Sequence, residues 1–144
     1  MASYKTGMAR KSFMATVSLL ASLYTIGCGG REVEDKMVEL SGLVTYQEPI
    51  SLPGTARLEV ELKDVTNVGA VSEILGRTVV ENAGQIPIGF VVVYNASKFE
   101  QGHIYGVQAS IYDGNRMLFT TDESYPVDLE NLEGLLQVVL QKAN

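Results

Sequence analysis

Between Ala56 and Val65 the chain alternates without a break: Leu58, Val60 and Leu62 can point one way, Glu59, Glu61 and Lys63 the other. Successive side chains of a strand point to opposite faces, so this stretch suits a half-buried antiparallel strand. Similar stretches recur along the chain with turn signals between them, which is the spacing of an all-β sandwich.

The first strand is expected over Met37 to Tyr46, where Val38, Leu40 and Val44 can share a face with Gly42 between them. Pro49 and Leu52-Pro53-Gly54 interrupt the run. Val71 to Val80 is less regular: Glu73-Ile74-Leu75-Gly76 can start as a turn before a strand from Arg77 to Val80. His103 to Tyr112 and Arg116 to Thr121 flank Asp113-Gly114-Asn115, a strong hairpin signal, and Tyr105, Val107, Ala109 and Ile111 supply its core face. At the C-terminus, Leu132, Leu135, Leu136, Val139 and Leu140 fit a helical stripe, whereas Leu136, Val138 and Leu140 fit a strand face. Gly134 and the Val138-Val139 pair favour a last strand from Leu135 to Gln141.

Ile86 to Tyr94 is the most apolar stretch beyond Cys28. Ile86, Ile88, Phe90, Val92 and Tyr94 share one face, and Val91 and Val93 make the other apolar as well. Such a strand is central or covered, or it offers a face to a partner. On the second reading Ile86, Val91, Val93 and Tyr94 are the candidate contact residues.

Ahead of the strands the chain changes character. Lys5, Arg10 and Lys11 occur with no acidic residue, an apolar run from Phe13 to Ile26 follows, and Thr25-Ile26-Gly27-Cys28-Gly29-Gly30 closes it. As a helix that run would be about 21 Å long against a hydrocarbon core of about 30 Å, short for a span and normal for a signal sequence. The layout is that of a bacterial lipoprotein signal, although Thr25 stands where such signals usually carry Leu. The expected organisation is a signal peptide over 1–27, a lipidated Cys28 opening a flexible tether over 28–36, and a domain over 37–144. Acylation also removes the only thiol of an exported chain, which would otherwise be exposed to oxidation. Gly29, rather than Asp, follows the cysteine, so the expected address is the Gram-negative outer membrane, with the domain facing the periplasm.

Beyond the leader eight basic side chains face seventeen acidic ones, a formal charge of −9, which phosphate backbones repel. No nucleic-acid partner is expected. His103 is the sole histidine and reads as a surface or hydrogen-bonded residue. Glu59 with Glu61, and Asp122 with Glu123, read as solvated acids rather than as an acid–base pair, which would need its two pKa values pushed apart. No metal-ligand spacing, phosphate-cradling glycine loop or calcium loop occurs, so no catalytic residue, metal or cofactor is expected. Tyr46, Tyr94, Tyr105, Tyr112 and Tyr125 can line a ligand surface, or close the sandwich ends with their hydroxyls in water.

Several blocks stand in order along the chain: Gly42-Leu43-Val44-Thr45-Tyr46, Ile50-Ser51-Leu52-Pro53, Ala56 through Val65, Gln85-Ile86-Pro87-Ile88-Gly89-Phe90, His103-Ile104-Tyr105-Gly106-Val107, Leu118-Phe119-Thr120-Thr121-Asp122 and Tyr125-Pro126-Val127. This ordered set resembles the YbaY/YscW-type lipoproteins, a family that includes type III secretion pilotins. The resemblance covers Leu40 to about Leu140. It implies a compact periplasmic β-sandwich, here of about seven antiparallel strands, and it favours a strand at the C-terminus. For function it implies a non-enzymatic outer-membrane lipoprotein that holds a peptide segment of an envelope protein such as a secretin. The alternatives are a small-ligand or polysaccharide binder using the tyrosines, and a hydrolase using Glu59, Glu61 or Asp122.

Overall fold

The computed structural model describes residues 34–144, so the signal peptide, Cys28 and the first part of the tether lie outside the described residues. Eight strands follow in order: β1 (Met37–Tyr46), β2 (Arg57–Asp64), β3 (Ile74–Val80), β4 (Ile88–Asn95), β5 (Tyr105–Asp113), β6 (Arg116–Thr120), β7 (Tyr125–Val127) and β8 (Leu136–Lys142). Among the described residues the one helical element is a short 3₁₀ turn over Ala96–Lys98, with Asn95 Oδ1 accepting from Ser97 N–H at its start.

The alternation read from the sequence is what buries each strand. Leu58, Val60 and Leu62 of β2 are fully buried, and Tyr105, Val107, Ala109 and Ile111 of β5 line the core beside them. Leu40 and Val44 of β1 and Val138 and Leu140 of β8 face the same interior. The 113–116 hairpin forms as expected, with Gly114 at φ +59°, a backbone angle that glycine adopts without steric cost. β8 forms where the C-terminal strand was expected.

Two expectations are corrected. The strands form one sheet, ordered β3-β2-β5-β6-β8-β1-β4 with β7 alongside β5, that curls into a nearly closed barrel, not a sandwich of two sheets. The pairing is also not wholly antiparallel, because β8 runs parallel to β1 from Gly42↔Leu136 to Tyr46↔Leu140. β8 joins the two halves: it pairs with β1 on one side and with β6 at Phe119↔Lys142 and Thr120↔Gln141 on the other. Register shifts at Leu62/Lys63 and Ile111/Tyr112 mark bulges, which bend strands and promote curling.

Closure happens where the sheet's two ends meet. A Cβ on Gly76 of β3 would stand 2.6 Å from the Val93 carbonyl oxygen and 2.8 Å from Val92 Cγ1 of β4. Only a residue without a side chain allows that approach. Gly42 does the same inside the barrel, where the Phe90 ring and the Leu136 carbonyl occupy the space of a side chain.

Candidate functional site

β4 begins at Ile88 rather than Ile86, since Pro87 has no N–H to give to a ladder. Ile88, Phe90, Val92 and Tyr94 turn inward, 0–4 % exposed. Tyr94 is therefore a core residue, corrected from its place among the candidate contacts: parity along β4 aims its ring inward with Phe90. Burial also raises the pKa of its hydroxyl. Ile86 lies before the strand, half-buried against the core. Val91 and Val93 turn outward, at 43 % and 45 % exposed.

The sequence did not link these valines to β3. Ile74 and Val79 of β3 are 46 % and 42 % exposed, and the close approach at Gly76 brings β3 against β4. Arg77, between them on β3, is drawn toward β2: its guanidinium lies 2.7 Å from Glu59 and 3.7 Å from Glu61. Four half-exposed aliphatic side chains thus flank the seam, and no strand pairing or backbone hydrogen bond joins β3 to β4 among the described residues. The irregular Val71–Val80 stretch hid half of this strip. Its signal was the outward parity of Val79 against Glu59, visible only once β3 is paired with β2.

Glu59, Glu61 and His103 are held in structural pairs. Burial of Glu59 opposes ionisation, but hydrogen bonds from Arg57 and Arg77 outweigh it and hold the carboxyl below its usual range, the wrong direction for a general acid. Glu61 pairs with Lys63 at 2.6 Å. Tyr46, Tyr94 and Tyr105 are at most 4 % exposed, so their rings belong to the core. Their neighbours also revise the expectation of hydroxyls in water: Tyr46 Oη donates to Ile50 O, and Tyr105 Oη accepts from Glu100 N–H.

His103 lies between two carboxylates, Nδ1 at 2.5 Å from Asp64 Oδ2 and Nε2 at 3.2 Å from Glu100 Oε2. A neutral imidazole has one donor, so facing both acids favours the imidazolium, and the Asp64 hydrogen bond leads in raising its pKa. Asp64 is held at about 2, first by the Thr66 hydroxyl, then by His103 and by Thr66 N–H. The sign of each effect is fixed. The raised His103 stabilises the fold fully below its ordinary 6.5, and that contribution is lost as pH rises through the folded value above it. The depressed Asp64 contributes above its ordinary 3.8, and that is lost as pH falls toward about 2. Thermal melts of wild type against His103→Gln should therefore differ most between roughly pH 4 and 6.5 and converge on the alkaline side; a difference that grows with rising pH would contradict the clamp.

Blocks distant in sequence are also tied to one another. The Gln85 side chain accepts from Leu52 N–H and donates to Leu52 O, both at 3.0 Å, as a paired strand residue would. This bond joins Ile50-Ser51-Leu52-Pro53 to Gln85-Ile86-Pro87, and His103–Asp64 joins two other blocks.

The fold defines the class: a small, nearly closed β-barrel whose last strand lies beside its first. A family model described as "Type III secretion system lipoprotein chaperone (YscW)" matches residues 35–139, and the chain belongs to that family. It is 30 % identical over 89 residues to the uncharacterized lipoprotein YbaY of Escherichia coli (strain K12), across 61 % of this chain and 47 % of that one. The chain thus spans about half the length of that relative. An alternative pilotin from the type II secretion system of Vibrio cholerae is similar in structure, with a TM-score of 0.66 and 28 % identity over 75 % of this chain and 100 % of the pilotin.

Proposed function

We propose that this protein is a pilotin-type chaperone of the envelope. A lipid on Cys28 fixes it to the periplasmic face of the Gram-negative outer membrane, and the barrel holds a segment of a secretin-like protein. The observation that carries this reading is the strip of Ile74, Val79, Val91 and Val93, exposed beside a seam without backbone pairing. Family membership and the likeness to a pilotin support the partner class; the basic, apolar leader ending at Cys28 supports the anchor. Tethering keeps the domain at a high local concentration near its partner, so a modest intrinsic affinity suffices. The role asks for holding, not for bond chemistry.

Two measurements test it. A photo-crosslinking residue at position 91 or 93 in intact cells is expected to capture a secretin-type subunit, and Val91→Asp with Val93→Asp to weaken that capture by about tenfold or more. Capture of lipid or glycan alone would overturn the partner. Cys28→Ser is expected to move the protein from the membrane to the soluble fraction; unchanged fractionation would remove the anchor and leave the partner question intact.

A further inference from the structure

A second seam lies between β7 and β8. β6 pairs with β8 at Phe119↔Lys142 and Thr120↔Gln141, with Ala143 N–H donating to Leu118 O beyond them, and the pairing stops at Thr120. The chain then leaves β8, and β7 pairs with β5 alone. Had β6 run on in register, Asp122 would stand opposite Val139 and Ser124 opposite Gln137. Among the described residues no strand takes that side of β8 from Leu136 to Leu140.

A single hydroxyl fills the place of the missing strand. Tyr125 Oη donates to Val139 O and accepts from Val139 N–H, both at 3.0 Å. These are the two groups a neighbouring strand residue would bond. Backbone groups alternate sides along a strand, so those of Gln137 face the seam as those of Val139 do. Two open cavities lie along it, about 310 Å³ beside Asp122, Glu123 and Val139 and about 200 Å³ beside Asp128, Glu133 and Leu136, both reaching Pro126. Neither is lined by a lysine or arginine.

The geometry points to the open side of β8 as a docking edge for an extended peptide segment that alternates basic and apolar side chains. The segment's backbone replaces the Tyr125 hydroxyl as partner of Val139 and adds bonds to Gln137. Its apolar side chains cover the half-buried Leu136 on the inward face of β8, and its basic ones, turned outward like Val139, meet Asp122, Glu123, Asp128 and Glu133. This edge is separate from the β3–β4 strip and does not depend on what the strip holds.

Fluorescence anisotropy tests it, using protein produced from the full-length sequence in detergent and a short labelled peptide alternating lysine and valine. Saturable binding is expected, and methylating alternate peptide amides should weaken it by about tenfold or more, because the main-chain bonds are removed. Asp122→Lys with Glu123→Lys should weaken it comparably and admit the matching glutamate–valine peptide, whereas Glu81→Lys, on an exposed loop elsewhere, should change little. Tyr125→Phe removes the competing hydroxyl and should tighten the complex. No saturable binding, equal binding of the methylated peptide, indifference to the charge reversal, or a looser complex with Tyr125→Phe would each overturn the proposal. Val91→Asp with Val93→Asp should leave the anisotropy unchanged, so failure here and failure of the pilotin reading are told apart.

Discussion

Phe119→Ala is expected to lower the unfolding free energy by about 3–5 kcal/mol, a large share of the about 5–15 kcal/mol that a domain of this size has. Phe119 is fully buried on β6 and stacks on Tyr46 of β1, with ring centroids 4.2 Å apart and planes 11° from parallel. β6 belongs to one side of the barrel and β1 to the other, so the stack ties together halves that, among the described residues, only β8 joins by strand pairing. Truncation removes a ring from the place where collapse is hardest, because the surrounding backbone is fixed by its ladders. Urea unfolding should show the loss as a lower midpoint at an unchanged slope. A loss under about 1 kcal/mol would mean that the ring is not packed as described.

The second large effect is at barrel closure. Gly76→Val should cost about 3 kcal/mol, the upper end of what overpacking a tight site costs, because the nearest obstacle is a backbone carbonyl that cannot rotate away. The new side chain meets the Val93 carbonyl oxygen and the Tyr94 Cβ, so β3 must move off β4. Hydrogen exchange should rise in β3 and β4 before it rises in β2 or β5. Gly89→Ala is the internal control. Its nearest neighbour would be Leu43 Cδ2 at 3.9 Å, ordinary contact, so stability should change by no more than about 0.5 kcal/mol. Equal losses at both glycines would show that the cost is one of backbone freedom and not of closure.

Local pattern carried much of the fold. The period of two placed the core faces of β1, β2 and β5 correctly, because one side of each meets solvent and the other meets oil. It could not tell a sandwich from a barrel, since both bury alternate residues. That difference rests on the bulges at Leu62/Lys63 and Ile111/Tyr112 and on the fit of Gly76 against Val93. β7 escaped notice because three residues around a proline carry no readable alternation. At the site, the outward parity of Val91 and Val93 was legible in the sequence. The sequence sets Tyr94 on the face it shares with Phe90 and Val92, and burial of that face makes it a core residue, not a contact. Ile74 and Val79 were out of reach, because their neighbours across the seam are set by tertiary closure.

The placement of β8 between β1 and β6 has a consequence for how the polypeptide reaches its final form. β8, the last of these strands in sequence, must slot in beside β1, the first of them, so the sheet cannot be completed while Leu136–Lys142 is still missing. Its pairings span nearly the whole domain, a long-range topology associated with slow acquisition of native structure. A chain interrupted before Leu136 would keep β1 bare along one side, sticky and open to proteases. The same interruption bares β6 at Phe119 and Thr120, so an unfinished copy differs from a finished one by two exposed flanks.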